Sequence, residues 1–403
     1  MPARPRALGA LVALFTAGYL APYLLPTLVG RLSTGLALST AQAGLIGSIL
    51  LLGSAGAGFV LASRGRRVDP RRAARLGLLA MALGYGTAAA SGTVTPVVAG
   101  AVLGGFGSGT ATAVAAAGIA GRPDPHRAAT LGLLGVSATA GVLYLSLPHL
   151  GGGHALPFAA IAAAALLTYP ATSRLPVPTD HHPDAPREHR AAPLPHRRAG
   201  LVLAASILCW SMAQNALWGV SGRIGLTRAG LTEVTLGLVF AVALGAGLAG
   251  VTAAGALGHR LGRVAPIAAG TPLIALCVLL SSSAEGPYSF ATGEILWNAV
   301  YPVVLSHLLG LAASLDPSGR WAVLVGAASS LGVACGPFTG STLAQTTGYP
   351  GMGVALCALL LLVAAPMTAV ARQAAGRPVL RGRFRAVGTR SHSVSAHSSP
   401  AGV

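Results

Sequence analysis

The sequence predicts an all-α membrane protein of twelve transmembrane helices in two pseudo-symmetric six-helix bundles. Three observations predict it. Of 403 residues 53% are hydrophobic and 9% charged, with a mean hydropathy of +0.68, too little charge to cover a soluble chain of this length. The apolar residues gather into twelve runs, each of a length suited to crossing a bilayer core of about 30 Å at 1.5 Å per residue. Two segments between runs recur in altered form about half a chain later, as a six-plus-six duplication requires.

In order, the runs cover about 8–30, 41–62, 73–91, 95–119, 129–148, 155–173, 199–221, 233–257, 264–283, 287–314, 320–343 and 351–371. The apolar stretch after MPARPRA exceeds a signal h-region, so it is expected to stay as the first span. Residues 1–173 then form the N-terminal bundle and 199–373 the C-terminal one. Between them, 174–198 is rich in Pro, His and Arg, cannot bury a core, and reads as a flexible cytoplasmic linker. Its His181, His182, His189 and His196 read as solvated side chains rather than metal ligands. The tail, 374–403, is expected to be disordered, with its basic RGRFR segment against anionic headgroups.

The net charge of +18 comes from arginine alone. If the runs alternate in direction, all 27 arginines except Arg31, Arg223 and Arg228 share one side. The positive-inside rule makes that side cytoplasmic and puts both termini there. Arginines spread over short loops and tails argue for membrane lipid, not nucleic acid, as the partner. Heavy use of Ala, Gly, Arg and Pro suggests a GC-rich genome, and a bacterial plasma membrane is the expected location. Cys209, Cys277, Cys335 and Cys357 all fall inside runs, without metal-ligand or CxxC spacing. No metal site and no cofactor are expected.

The tenth run carries the chemistry. Glu294, Trp297, Asn298 and Tyr301 recur at i, i+3, i+4 and i+7 and share a helical face. A charge at the bilayer centre costs about 2.5–3.5 kcal/mol on insertion scales, so Glu294 should face protein or a water-filled cavity. It is the sole acid placed inside a run; Glu233 and Glu285 fall near outer ends.

The repeated segments are Gly58-Phe-Val-Leu-Ala-Ser-Arg-Gly-Arg-Arg67 with Gly255-Ala-Leu-Gly-His-Arg-Leu-Gly-Arg263, and Asp124-Pro-His-Arg127 with Asp316-Pro-Ser-Gly-Arg320. With twelve spans and a long central loop, they make the chain resemble the major facilitator superfamily from about residue 8 to 371. That family's motif after the second span is Gly-x-Leu-x-Asp-Arg-x-Gly-Arg-Arg. The second copy here matches at Gly255, Leu257, Arg260, Gly262 and Arg263, and the first at Gly58, Gly65, Arg66 and Arg67. Ala62 and His259 replace the acid in the two copies, so the cytoplasmic charge latch the resemblance implies must be weaker or built differently, with Asp69 a possible substitute.

The resemblance also implies a central cavity between the first, fourth, seventh and tenth spans. Tyr19 and Tyr23 on the first, Gln214, Asn215 and Trp218 on the seventh, and Glu294, Trp297, Asn298 and Tyr301 on the tenth are its candidate lining. Counted from the run ends, Tyr19, Tyr23, Gln214 and Glu294 converge at about 16–22 Å of depth. The fourth span offers GGFGSGT, meaning close packing or room for a bulky substrate.

The expected function is secondary transport by alternating access: export of a small, mainly apolar organic compound or drug-like metabolite, with Glu294 as the candidate proton-coupling group. Uptake of a sugar or other small metabolite is the alternative, and a polytopic membrane enzyme the third. The basic residue of drug antiporters is missing from the fourth span and their GlyPro motif from the fifth, while GVACGPFTGS stands in the eleventh. A monomer is expected.

Overall fold

The computed structural model describes residues 3–64, 69–151, 153–175, 194–257 and 262–376. Twelve α-helices carry the described chain: α1 Ala3–Tyr23, α2 Leu25–Gly35, α3 Thr40–Arg64, α4 Pro70–Ala90, α5 Val94–Ala120, α6 Pro125–Ser146, α7 Ala155–Thr168, α8 Arg197–Thr227, α9 Glu233–Leu257, α10 Val264–Ser282, α11 Pro287–Leu315 and α12 Arg320–Ala375. Short 3-10 turns, Leu147–His149 and Tyr169–Arg174, extend α6 and α7.

Helices and spans do not correspond one to one. The first span is α1 and α2 together, bent by 49°. Pro22 lies within α1 and Pro26 in the first turn of α2; neither has an N–H to continue the ladder. The last two spans are the limbs of α12, whose 56 residues are too long for one crossing. They part at Gly348, where φ is +72° and ψ 170°, a conformation closed to residues with a Cβ, with Pro350 just beyond. Among the described residues ten helices qualify as spans by length and hydropathy, and the bent pair adds an eleventh. Counting both limbs of α12 gives the expected twelve. Leu167, Val323 and Leu362 are 82%, 71% and 71% exposed on the outer surface, favourable only against hydrocarbon.

Among α1 to α7, α5 packs on α1, α3 and α4, while α1 also packs on α6 and α4 on α7. Among α8 to α12, α12 packs on α8 and α10, and α11 on α9 and α10. Three seams join the two groups: α3 against α12, α6 against α9, and α2 against α8. The GGFGSGT run serves close packing. A methyl group on Gly105 or Gly109 would strike the Leu50 or Ser54 carbonyl of α3, and one on Gly104 would meet the Tyr85 ring of α4 at 2.6 Å. GVACGPFTGS works similarly, since Gly332 and Gly340 abut the Leu208 and Ala216 carbonyls of α8.

Loop acids mostly cap helices. Asp69 accepts from Arg71 N at 3.0 Å and lies 3.8 Å from Arg72, so its contacts among the described residues are with its own helix. Asp124 accepts from Arg127 N at 3.0 Å. Asp316 takes Ser318 Oγ at 2.6 Å and Arg320 Nε at 2.9 Å; hydrogen bonds from Ser318 outweigh burial and, with Arg320, hold its carboxyl at about 2.

Candidate functional site

A cavity of about 610 Å³ lies between α1, α6, α8, α9 and α11, with Val333 of α12 at its edge. Seven of the nine candidate residues line it: Tyr19 and Tyr23, Asn215 and Trp218, and Trp297, Asn298 and Tyr301. Phe15, Pro22, Ser137, Leu244 and Leu248 complete the wall at this level. No Asp, Glu or Arg among the described residues belongs to the lining. The rings interlock: Phe15 with Tyr19 at 4.5 Å between centroids, Trp218 with Trp297 at 5.6 Å, and Trp297 with Tyr301 at 6.1 Å. Each amide ties its N–H₂ to its own helix, Asn215 to Ser211 O at 3.0 Å and Asn298 to Glu294 O at 2.9 Å.

One end of the cavity runs past Leu309 to His126, Ala254 and Gly255, beside the arginine-rich loops. The other end is stopped by Trp218. Its Nε1 donates to Pro22 O at 3.0 Å. That carbonyl is available because the residue four positions on is Pro26, which has no N–H. Behind Trp218 stands Phe240, 5.3 Å between centroids, and behind that Tyr144, 5.0 Å further. Tyr144 Oη donates to Tyr23 O at 2.6 Å.

Gln214 and Glu294 lie one layer behind this wall, fully buried. Gln214 Oε1 accepts from Trp297 Nε1 at 2.8 Å and so fixes the indole. Glu294 turns toward α8 and α10. Its Oε1 lies 2.7 Å from Ser221 Oγ, which is also 3.0 Å from Leu217 O. The Ser281 hydroxyl of α10 is the carboxyl's other polar neighbour, in looser geometry than Ser221. Gly293 permits this approach, for a Cβ there would collide with Ser281 Oγ.

Of the loop motif, Gly65, Arg66, Arg67, His259 and Arg260 lie outside the described residues, as do His181, His182 and His189 of the linker. Gly58 has open space around it. Gly255 borders the cavity mouth, while Gly262, at φ +61°, and Arg263 lead into α10.

The three arginines apart from the rest are engaged at the closed end. Arg31 of α2 pairs with Glu233 of α9 at 2.8 Å and donates to Leu147 O at 3.2 Å. Arg223 of α8 reaches Ser33 of α2, and Arg228 pairs with Glu285 at 3.6 Å. Gln345 Oε1 of α12 accepts from Ala41 N of α3 at 3.0 Å. Sequence reasoning passed over Ser221 and the Arg31–Glu233 pair. Ser221 carried a signal, seven positions beyond Gln214 on the same helical face; the isolation of Arg31 was the signal for its pairing.

A helical shell in two groups, with a cavity open at one end and hydrogen-bonded shut at the other, is the architecture of an alternating-access carrier. The family model of the Major Facilitator Superfamily matches residues 7–320. The chain belongs to that superfamily. Among solved structures, a POT family transporter in complex with a thioalcohol-conjugated peptide aligns with a TM-score of 0.71 and 11% identity, covering 92% of this chain and 96% of that one. A bacterial homologue of the human lysosomal transporter Spinster, inward-facing and unoccupied, gives 0.66 and 14%, covering 93% and 95%. The human organic anion transporter MFSD10 (TETRAN) gives 0.62 and 18%, covering 91% and 100%. A comparison with curated proteins finds no match. The chain is thus a multi-pass membrane protein of a transporter superfamily.

Proposed function

We propose that this carrier exports a small, mainly apolar organic compound across the plasma membrane, with the arginine-rich face cytoplasmic and Glu294 carrying the coupling proton. One observation carries the substrate class: the cavity wall is mainly aromatic and aliphatic, bears two amides, two serines and His126 at its mouth, and has no Asp, Glu or Arg among the described residues. Its size suits a drug-like compound, for such sites span about 300–1,000 Å³. An organic anion, the cargo named for the human structure, would meet no arginine on this wall.

Burial supports a proton at Glu294. The side chain is fully buried and, among the described residues, its carboxyl meets the hydroxyls of Ser221 and Ser281 rather than a cation, which favours the neutral acid. One proton moved through 100 mV supplies about 2.3 kcal/mol, roughly a fifty-fold gradient of a neutral compound.

The test uses proteoliposomes and an inverted pH gradient, read with an environment-sensitive aromatic amphiphile. Wild-type protein should accumulate the probe in response to the gradient, and Glu294→Gln should lose that response by tenfold or more while keeping downhill exchange. Unaltered pH-driven accumulation in Glu294→Gln would sink the coupling. Lower cellular retention of the probe after deletion of the protein would reverse the direction.

A further inference from the structure

Several polar atoms on the wall of the central cavity are left without a partner, and they are of two complementary kinds. Asn215 and Asn298 each donate an amide N–H to the carbonyl four residues back, Ser211 O and Glu294 O. Those bonds hold the amides still and leave each Oδ1 free as an acceptor. The phenol oxygens of Tyr19 and Tyr301 take no partner among the described residues, and neither they nor the amide oxygens are sealed within the packing. All four side chains are half-buried and line the cavity. Ring contacts orient the phenols: Tyr301 stacks on Trp210 at 5.2 Å between centroids and 11° between planes, and Tyr19 leans on Phe15. Tyr19 of α1 and Tyr301 of α11 lie within electrostatic range of each other. Asn298 and Tyr301 share a face of α11, about 4.5 Å apart along its axis. The Gln214–Trp297 hydrogen bond brings Asn215 to the level of Asn298.

A phenol O–H calls for an acceptor and an amide oxygen for a donor. A pure hydrocarbon would expel water from all four atoms and pair with none of them. An ammonium would find no carboxylate on this wall, and a carboxylate no guanidinium. What complements two phenol donors, two amide acceptors and aromatic walls is a flat, uncharged molecule with a carbonyl on one edge and an N–H on another. We propose that the cargo is a planar aromatic lactam or vinylogous amide, its carbonyl oxygen accepting from Tyr301 and Tyr19, its N–H donating to the Asn298 or Asn215 amide oxygen, and its rings against the indoles of Trp218 and Trp297. This rests on the reading of the cavity as the seat of a mainly apolar compound, and narrows it. A carbonyl oxygen has two lone pairs and can serve both phenols. Because Tyr19 belongs to one helix group and Tyr301 to the other, a carbonyl held by both ties the groups together across the cavity.

Equilibrium binding to the full-length protein in nanodiscs, with empty nanodiscs as the reference and no gradient, tests this without involving export or proton coupling. Acridone, which carries both groups, is compared with xanthone, where an ether oxygen replaces the N–H, and with 9,10-dihydroacridine, where a methylene replaces the carbonyl. Acridone should bind saturably, about tenfold tighter than 9,10-dihydroacridine and about fivefold tighter than xanthone. Tyr301→Phe should cut the first preference to about threefold or less and keep the second. The double variant Asn215→Leu/Asn298→Leu should do the reverse. The three-ligand comparison on the wild type stands even where a variant fails to fold. Equal affinities for the three compounds would overturn the lactam and leave the broader apolar cargo in place. Saturable binding of none would overturn both. Preferences unchanged in both variants would seat the ligand elsewhere and overturn the assignment.

Discussion

Pro22 has a carbonyl that its own helix cannot satisfy, and an indole from the other half of the molecule satisfies it. This single bond joins the bend in the first span to the roof of the cavity. Trp218→Phe keeps the aromatic packing and leaves the carbonyl unmet, at a cost of about 1–2 kcal/mol in the closed arrangement. Cysteine labelling should then find a residue placed at position 34 more reactive, with Tm lowered by a few degrees; unchanged reactivity would mean that the indole only fills space. The residue scale is also where sequence reading stops. Spacing put Glu294 on the face of Trp297 and Tyr301, but that face is broad enough to span both a cavity and a neighbouring helix. Glu294 turns to Ser221 on the helix side, while Asn298 and Tyr301 line the cavity. Only the positions of α8 and α10 decide between those directions, and they are long-range facts.

Helices were legible because hydropathy is local: each run declares itself without reference to its neighbours. What joins them was less so. The two limbs of α12 part at the non-helical Gly348 with no charged loop between them, so the sequence showed two runs but not how abruptly one turns into the next. The glycines of α5 left packing and open space equally available, since glycine does not say what approaches it; α3 and α4 do. Asp316 ties the α11–α12 corner through Ser318 and Arg320. Its carboxyl is depressed to about 2, below the ordinary value near 3.9. The sign follows: the stabilisation is complete above about pH 4 and is lost as pH falls through about 2. Asp316→Asn should therefore lower Tm at pH 7 and make no difference near pH 2, as followed by thermal unfolding in detergent; an equal deficit at both pH values would assign the effect to packing.

At the scale of the whole molecule, two faces are unlike. Toward the arginine-rich loops the helix groups part around the cavity. At the other face they are fastened by Arg31 to Glu233, Arg223 to Ser33 and Ala41 to Gln345. Alternating access requires those contacts to break together. Arg31→Gln removes a largely buried, charge-assisted contact worth about 1–2 kcal/mol net, enough to move a two-state population about five- to thirty-fold. Double electron–electron resonance between labels at positions 34 and 234 should show a longer-distance population in Arg31→Gln that is minor in the wild type. A distance distribution identical to the wild type would mean that other contacts alone hold this face.

The bend between α1 and α2 divides the first span into two levers that meet at Leu24. The lower lever carries Tyr19 and Tyr23, where cargo would rest; the upper carries Arg31 and Ser33, where the far door is bolted. A straight rod would transmit every push on the cargo directly to the bolt. A jointed one lets the bolt be drawn while the cargo stays seated, so the joint makes unlocking and loading two separate moves.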